Sequence, residues 1–197
     1  MNVDKVLEHS SRIRPCPGER VSGDTVVIRP LEQGLFVAIV DVLGHGTEAN
    51  ELTHVIDAYL ARYGTSDVSG VMKRLHQHLK GTRGAVVGLC AIDAATGRVE
   101  YAGIGNTTMR RFGRVETRLV SQEGVLGQNM RTPWAQTLQL EPGDVIVLYT
   151  DGVSDRFTSD DYPGVLRHAA EEVASNIVKR FGKDHDDAAC IAVRYSA

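Results

Sequence analysis

Apolar and β-branched residues along this 197-residue chain form short runs that predict a protein rich in β-strands. The predicted strands cover residues 3–13, 25–28, 35–42, 85–93, 98–104, 109–112, 115–119, 134–140, 145–149 and 190–195. Turn residues such as Pro15-Cys16-Pro17-Gly18 separate them. We expect the first three strands to form an antiparallel start, and strands 134–140 and 145–149 to pair as the last hairpin.

Apolar residues spaced by three and four positions predict helices. They recur in this way over residues 47–63, 66–81 and 160–181, and a glycine ends each segment. The first two helices follow a single strand, so we expect them to pack on one face of the sheet. Their histidines, His54, His76 and His78, are expected on the surface. His76 and His78 are two residues apart and therefore on different faces, which makes them a poor metal-binding pair.

The composition is that of an ordinary globular protein, and the length fits one domain. The formal net charge is −3 and the basic residues are dispersed, so no nucleic-acid partner is expected. The sequence contains no signal peptide and no apolar run near the ~20 residues of a membrane span, which predicts a cytoplasmic protein without a membrane partner. The cysteines lack metal-binding spacing, and Cys90 and Cys190 are expected in the core.

Four aspartates stand at the ends of apolar runs: Asp24, Asp41, Asp151 and Asp186. Taken alone, Asp41 is equally well explained as a cap of the turn that follows it. If the four strand ends converge, each pair of charges about 5 Å apart repels by roughly 3 kcal/mol at an effective dielectric near 20. Cations must then balance the charges. Oxygen ligands suit Mg²⁺ or Mn²⁺, and two such ions bridged by one carboxylate form a hydrolytic site for phosphate esters.

Four short motifs resemble, in order and spacing, those of the PPM/PP2C-type metal-dependent protein serine/threonine phosphatases in their SpoIIE-like bacterial form. The motifs are Ser22-Gly23-Asp24, Asp41-x-x-Gly44-x-Gly46, Thr150-Asp151-Gly152 and Asp186-Asp187. The resemblance covers nearly the whole chain and is nearest to the free-standing stressosome phosphatases, which lack sensor domains. It implies an α+β fold, the PP2C-like four-layer αββα sandwich of two stacked antiparallel sheets flanked by helices. Residues 1–197 would form a single PPM-type phosphatase catalytic domain.

The resemblance also implies roles for individual residues. Asp41 would be the catalytic bridge between two Mn²⁺ or Mg²⁺ ions. The other carboxylate ligands would be Asp24, Asp151 and Asp186. The backbone carbonyl of Val42 would complete the shell of one ion, and Gly152 and Asp187 would support the ligands from behind.

Some positions depart from the family pattern. Val42 stands where the family usually has glycine, and a valine at positive φ would be strained. Leu43 replaces the histidine that many relatives use as a general acid, so His45 is a weaker candidate for that role and is otherwise a turn residue. Asp155 matches a carboxylate of a third metal site in relatives, but Asn106 replaces its acidic partner, so we expect a third site to be weak or absent.

The implied function is hydrolysis of phosphoserine or phosphothreonine on a signalling protein, expected to be a STAS-domain protein of the stressosome, by a monomeric enzyme. Arg20 is a candidate contact to the phosphate and is otherwise a surface arginine. Dephosphorylation of an anti-sigma-factor antagonist is the nearby alternative. A pseudophosphatase that binds a partner without turnover and a hydrolase of small phosphate esters are the remaining alternatives.

Overall fold

The computed structural model describes residues 3–197 and contains two antiparallel sheets of five strands each. Sheet 1 has the order β1 (Leu7–Arg14), β10 (Ala188–Tyr195), β9 (Val145–Tyr149), β6 (Thr108–Phe112) and β7 (Thr117–Leu119). Sheet 2 has the order β2 (Asp24–Leu31), β3 (Gly34–Val42), β4 (Ala85–Asp93), β5 (Arg98–Ile104) and β8 (Gln136–Gln139). The helices are α1 (Val3–Val6), α2 (Thr47–Tyr63), α3 (Val68–His78) and α4 (Ala170–Phe181).

The central strands are almost wholly apolar because both of their faces are buried. In β3, Leu35, Val37 and Ile39 pack between the two sheets. The alternate residues, such as Phe36 and Val40, pack against α2 and α3 on the outer face of sheet 2. On the other side, α4 packs against the outer face of sheet 1. The layers therefore run helix, sheet, sheet, helix, which confirms the predicted αββα sandwich.

Two predicted strand pairings are wrong. Strand β1 pairs with β10 rather than with β2, because the turn at Pro15–Gly18 carries the chain from sheet 1 to sheet 2. Strand β8 pairs with β5 in sheet 2, whereas β9 belongs to sheet 1. The Glu141–Asp144 turn is therefore a crossing between sheets and not a hairpin. A local turn signal is the same in both cases, so only the distant partner strand decides between them.

The helical predictions are correct in place but not in every boundary. Helix α2 spans the predicted residues and ends at Gly64, and Asp67 caps α3 by accepting a hydrogen bond from the Gly70 N–H. The predicted helix over 160–181 is divided into a 3₁₀ turn at Pro163–Leu166 and α4. A proline at the first position suits a short new turn but removes the donor needed to continue a helix. Within residues 3–197, no helix is long and apolar enough to cross a membrane.

The histidine prediction is wrong for His76. His76 is a buried residue of α3, and its Nδ1 accepts a hydrogen bond of 3.2 Å from the Gly127 N–H. His54 and His78 are exposed, as expected. Cys90 and Cys190 are fully buried in the core, which confirms their predicted place.

Candidate metal centre

The acidic residues meet at one end of the sandwich, and the alternation of the strands explains why. Along β3, the row Leu35, Val37, Ile39 faces the other sheet, so the next residue of that row, Asp41, faces it too. Asp24 begins β2 directly opposite Asp41 in the antiparallel register. The predicted proximity of these two carboxylates across adjacent strands is correct.

Sheet 1 contributes the other two aspartates from loops at its facing end. Asp151 lies two residues after β9, and Asp186 lies two residues before β10. Because β9 and β10 pair with Cys190 opposite Tyr149, these loops lie side by side. Charge–charge coupling links Asp41 to both Asp151 and Asp186, and Asp24 to Asp41 and Asp186. The structure therefore brings the four predicted ligands to the same end of the sandwich.

Burial and like charge together raise the pKa values of this cluster. Burial, followed by repulsion from Asp151 and Asp186, raises the pKa of Asp41 to about 7. Burial and the facing Asp41 raise the pKa of Asp24 well above its ordinary value. Burial and the neighbouring Asp186 raise the pKa of Asp151. Carboxylates in such surroundings are costly unless cations offset them.

Thr150 contacts the cluster although the sequence analysis gave its side chain no role. Its Oγ1 donates to Asp24 Oδ2 at 2.7 Å and accepts from the Ala189 N–H at 3.0 Å. The available signal was the alternation of Ile146 and Leu148 in β9 with Thr150 just after it, because the first two residues face the second sheet. Its partner Asp24 was not predictable, because the two residues are 126 positions apart in the sequence.

Asp187 joins the two sheets from behind the cluster. Its carboxylate accepts hydrogen bonds of 2.7 Å from the backbone N–H groups of Cys16 and Gly23. A side chain at Gly23 would place Cβ 2.9 Å from the Gly44 carbonyl oxygen, and one at Gly152 would place it 1.6 Å from the Asp187 carbonyl oxygen. Both glycines are therefore required by the close approach of neighbouring backbone.

The candidate third site has a different environment from the main cluster. Asp155 accepts a hydrogen bond from the Tyr149 hydroxyl and pairs with Arg118. Asn106, in contrast, donates from Nδ2 to Asp151 Oδ2 at 2.6 Å. An amide donor therefore lies where an additional carboxylate would have faced Asp151.

The loop after Asp41 places its unusual backbone at glycines. Gly44 and Gly46 have φ values of 89° and 77°, and no non-glycine residue in the described part of the chain has positive φ. Val42 is the last residue of β3, and its buried side chain packs in the core under α2. The strain expected from valine at this position is therefore not present.

His45 and Arg20 lie on the exposed rim of the site. His45 Nδ1 is 3.2 Å from Glu19 Oε1, and 72% of its side chain is exposed. Glu19 and its neighbour Arg20 are both exposed in the loop before β2. The loop that contains His45 therefore contacts the loop that contains Glu19 and Arg20, on the solvent-exposed side of the four aspartates.

The donor set suits a hard divalent cation. It is made of carboxylates alone, and no arginine or lysine in residues 3–197 forms an ion pair with any of the four aspartates. In the described residues, no three His, Cys, Asp or Glu side chains approach one point closely enough to ligate an ion, so these side chains would have to move toward one another to hold one. An excess of negative charge and oxygen donors both fit Mg²⁺ or Mn²⁺.

Comparison with known proteins agrees with this geometry. The family described as Stage II sporulation protein E (SpoIIE) matches residues 32–196. The phosphoserine phosphatase RsbX of Bacillus subtilis (strain 168) is 24% identical over 172 residues, covering 86% of this chain and 85% of RsbX.

Solved structures show the same fold. One of them is described as part of the bacterial stressosome, a modular system that has been adapted to control secondary messenger signalling. It has a TM-score of 0.86 and 26% identity, and the match covers 95% of this chain and 99% of that one. RsbX in complex with magnesium has a TM-score of 0.84 and 22% identity, covering 98% of this chain and 96% of that one. Nearly every element of the sandwich therefore has a counterpart in these relatives.

Proposed function

We propose, from the premise that this chain belongs to the SpoIIE family and is a metal-dependent serine/threonine protein phosphatase, that its four converging aspartates hold the metal. Two Mn²⁺ or Mg²⁺ ions would be held by these four carboxylates, and Asp41 would be the ligand shared between them, because it lies opposite Asp24 in the strand register and is repelled by both Asp151 and Asp186. The carbonyl of Val42, at the end of β3, is a further ligand. Asp187 and Gly152 hold the surrounding loops in place.

One observation carries this proposal. Asp24, Asp41, Asp151 and Asp186 lie at one end of the sandwich, and none of them forms an ion pair with a basic side chain of the described chain. Lys183 lowers the pKa of Asp151 but does not reverse its rise. The pKa values of Asp24, Asp41 and Asp151 are raised, so the folded state is less stable when these carboxyls are deprotonated. A structural role does not require such repulsion, whereas a divalent cation site does.

The residues of the chain prepare the site for phosphate ester hydrolysis. When bound, divalent ions lower the pKa of a water nucleophile and offset charge on the phosphoryl oxygens. The carboxylates hold the ions, and the partly exposed Asp41, Asp151 and Asp186 leave the site open toward solvent. Arg20 contacts the phosphate, and His45 protonates the leaving serine or threonine oxygen from the rim.

The substrate is a phosphorylated side chain on a folded protein of the STAS-domain type, as in the stressosome. Likeness to the phosphoserine phosphatase RsbX and to a stressosome-related chain supports this assignment. The position of the site supports it too, because Asp41, Asp151 and Asp186 are partly exposed to solvent. A pocket of about 500 Å³ lies at the other end of sheet 2, around Leu31–Gly34 and Arg98, away from the acids.

Two assays test the proposal. Hydrolysis of para-nitrophenyl phosphate is measured with Mn²⁺, with Mg²⁺ and with EDTA, and we expect turnover only with a metal. Turnover unaffected by EDTA would contradict the metal mechanism.

The second assay concerns the substrate. Release of phosphate from a phosphorylated stressosome STAS protein is compared with release from a phosphorylated anti-sigma-factor antagonist and from free phosphoserine. We expect the stressosome protein to have the highest kcat/KM, and preference for either other substrate would overturn that assignment.

The rim residues have their own test. Replacing His45 with Gln removes a proton donor but keeps a polar side chain. We expect kcat to fall about 10-fold or more and the limb of its pH profile that reports the acid to disappear. An unchanged pH profile would remove His45 from the mechanism. Arg20→Lys keeps the charge but loses the planar fork, so it is expected to raise KM for the phosphoprotein.

A further inference from the structure

We infer that Thr150 is a positioning residue whose buried hydroxyl fixes the Asp24 carboxylate in the orientation that binds metal. The inference rests on the proposed metal site and adds a residue to it. Thr150 is the last residue before Asp151 and is 1% exposed. Its hydroxyl bridges sheet 1, to which β9 belongs, and the first residue of β2 in sheet 2.

The direction of the hydroxyl proton follows from its partners. A hydroxyl has one proton to donate and two lone pairs. The Ala189 N–H can only donate, so it occupies a lone pair of Thr150 Oγ1 at 3.0 Å. The carboxylate of Asp24 is then the acceptor for the single proton, at 2.7 Å. The backbone of Thr150 is also fixed, because its N–H donates to the Ala189 carbonyl oxygen at 3.1 Å.

The hydrogen bond opposes a specific motion of Asp24. Asp41 lies directly opposite Asp24 in the strand register, so like charge pushes the two carboxylates apart. Thr150 holds Oδ2 of Asp24, which prevents the side chain from turning away and reserves the other oxygen, Oδ1, for the shared space. Hydrogen-bond partners that orient metal ligands typically change metal affinity by about 10- to 100-fold.

Substitutions of Thr150 can separate the effect of its hydroxyl from the effect of its shape. Thr150→Val keeps the shape and removes the hydroxyl, whereas Thr150→Ser keeps the hydroxyl. Thr53→Val is the matched control, because Thr53 is also a buried threonine, but its hydroxyl donates to the Asn50 carbonyl within α2. Circular dichroism of each variant establishes that the fold is retained, and Thr150→Ala provides a second hydroxyl-free variant if the valine form does not fold.

Isothermal titration with Mn²⁺ gives the deciding measurement. We expect the hydroxyl-free variants to bind Mn²⁺ about 10-fold or more weakly than wild type, and Thr150→Ser and Thr53→Val to stay within about threefold. At saturating Mn²⁺, we expect KM for para-nitrophenyl phosphate to be unchanged in Thr150→Val. Wild-type affinity in a folded hydroxyl-free variant would overturn the inference. Absence of Mn²⁺ binding to the wild-type protein would instead overturn the proposed metal site.

Discussion

Asp24 and Asp41 lie directly opposite each other on β2 and β3, so the fold holds two carboxylates side by side at the end of one sheet. Side chains in such a cross-strand pair have Cβ atoms about 4.5–5.5 Å apart, and like charges there are destabilising. The backbone register cannot relax this repulsion without shifting every buried residue of both strands. A cation bound next to the pair would offset this repulsion and stabilise the fold.

Replacing Asp41 with Asn should remove catalysis while leaving the fold intact. Asparagine is similar in shape, but it lacks the negative charge that binds and bridges cations. We expect kcat for para-nitrophenyl phosphate to fall by at least about 100-fold, because several kcal/mol of charge stabilisation are lost. Steady-state kinetics with Mn²⁺ measure this change. Asp57→Asn, on helix α2, is the control and should retain wild-type activity.

The metal-free protein should lose stability as the pH rises. The pKa of Asp41 is raised from 3.8 to about 7 in the folded state, so the folded protein binds its proton more tightly than the unfolded chain. This contribution is fully present below the unfolded pKa and is lost as the pH rises through the folded pKa. In EDTA, we expect stability to fall by about 1–2 kcal/mol between pH 5.5 and pH 8, since one pKa unit corresponds to about 1.4 kcal/mol.

Thermal unfolding at the two pH values measures this effect. For a chain of this length, the expected loss corresponds to a Tm lower by about 2–8 °C at the higher pH. Asp41→Asn should reduce the dependence, because it removes one of the three carboxyls with a raised pKa and also the repulsion that raises the pKa of Asp24. Saturating Mn²⁺ should reverse it, since metal binds the deprotonated carboxylates and is favoured at higher pH. A metal-free Tm that rises between pH 5.5 and pH 8 would contradict the raised pKa.

Elements whose structure is determined by neighbouring residues were predictable from the sequence. The continuous apolar run of β3, the periodic spacing of α2 and the turn between β4 and β5 each predict the observed element. The Asp24–Asp41 pair also followed, because adjacent strands joined by a short turn define their own register. The position of the site was therefore predictable from the two neighbouring strands β2 and β3 and from the aspartates that recur at strand ends.

What the sequence could not provide were contacts between distant segments. Strand β1 pairs with β10 at the other end of the chain, and nothing within residues 7–14 specifies that partner. The hydrogen bond from the Gly23 N–H to Asp187 spans 164 residues. His76 was expected on the surface because its partner, the Gly127 N–H, lies 51 residues away. In each case tertiary packing, not local propensity, determines the environment of the side chain.

Gly152→Ala should destabilise the protein strongly. A Cβ at this position would lie 1.6 Å from the Asp187 carbonyl oxygen, so the two loops of the site would have to separate. Overpacking typically costs about 1–3 kcal/mol, and this contact is with rigid backbone, so we expect a loss of at least about 3 kcal/mol. Urea unfolding measures it.

Gly70→Ala provides the comparison for that experiment. The three atoms nearest to its Cβ would belong to the carboxylate of Asp67, the exposed residue that caps α3, and this side chain can move toward solvent. Alanine also has a higher helix propensity than glycine by about 1 kcal/mol, which offsets a weakened cap. We expect a net change within about 1 kcal/mol. An equal loss in the two variants would mean that the Asp187 backbone is not the cause.

Asn106→Asp should convert a hydrogen-bond donor beside Asp151 into another negative charge. The amide of Asn106 donates to Asp151 at 2.6 Å, and its loss leaves Asp151 facing a carboxylate instead. Asn106→Ala is the matched variant, because it removes the donor without adding charge. In EDTA at pH 8, we expect both variants to lower the Tm and the aspartate to lower it further, since like charges at this separation repel by several kcal/mol at an effective dielectric near 20. Mn²⁺ should recover most of the additional loss in Asn106→Asp and little in Asn106→Ala, whereas equal Tm values for the two variants in EDTA would show that Asp151 does not sense charge at residue 106.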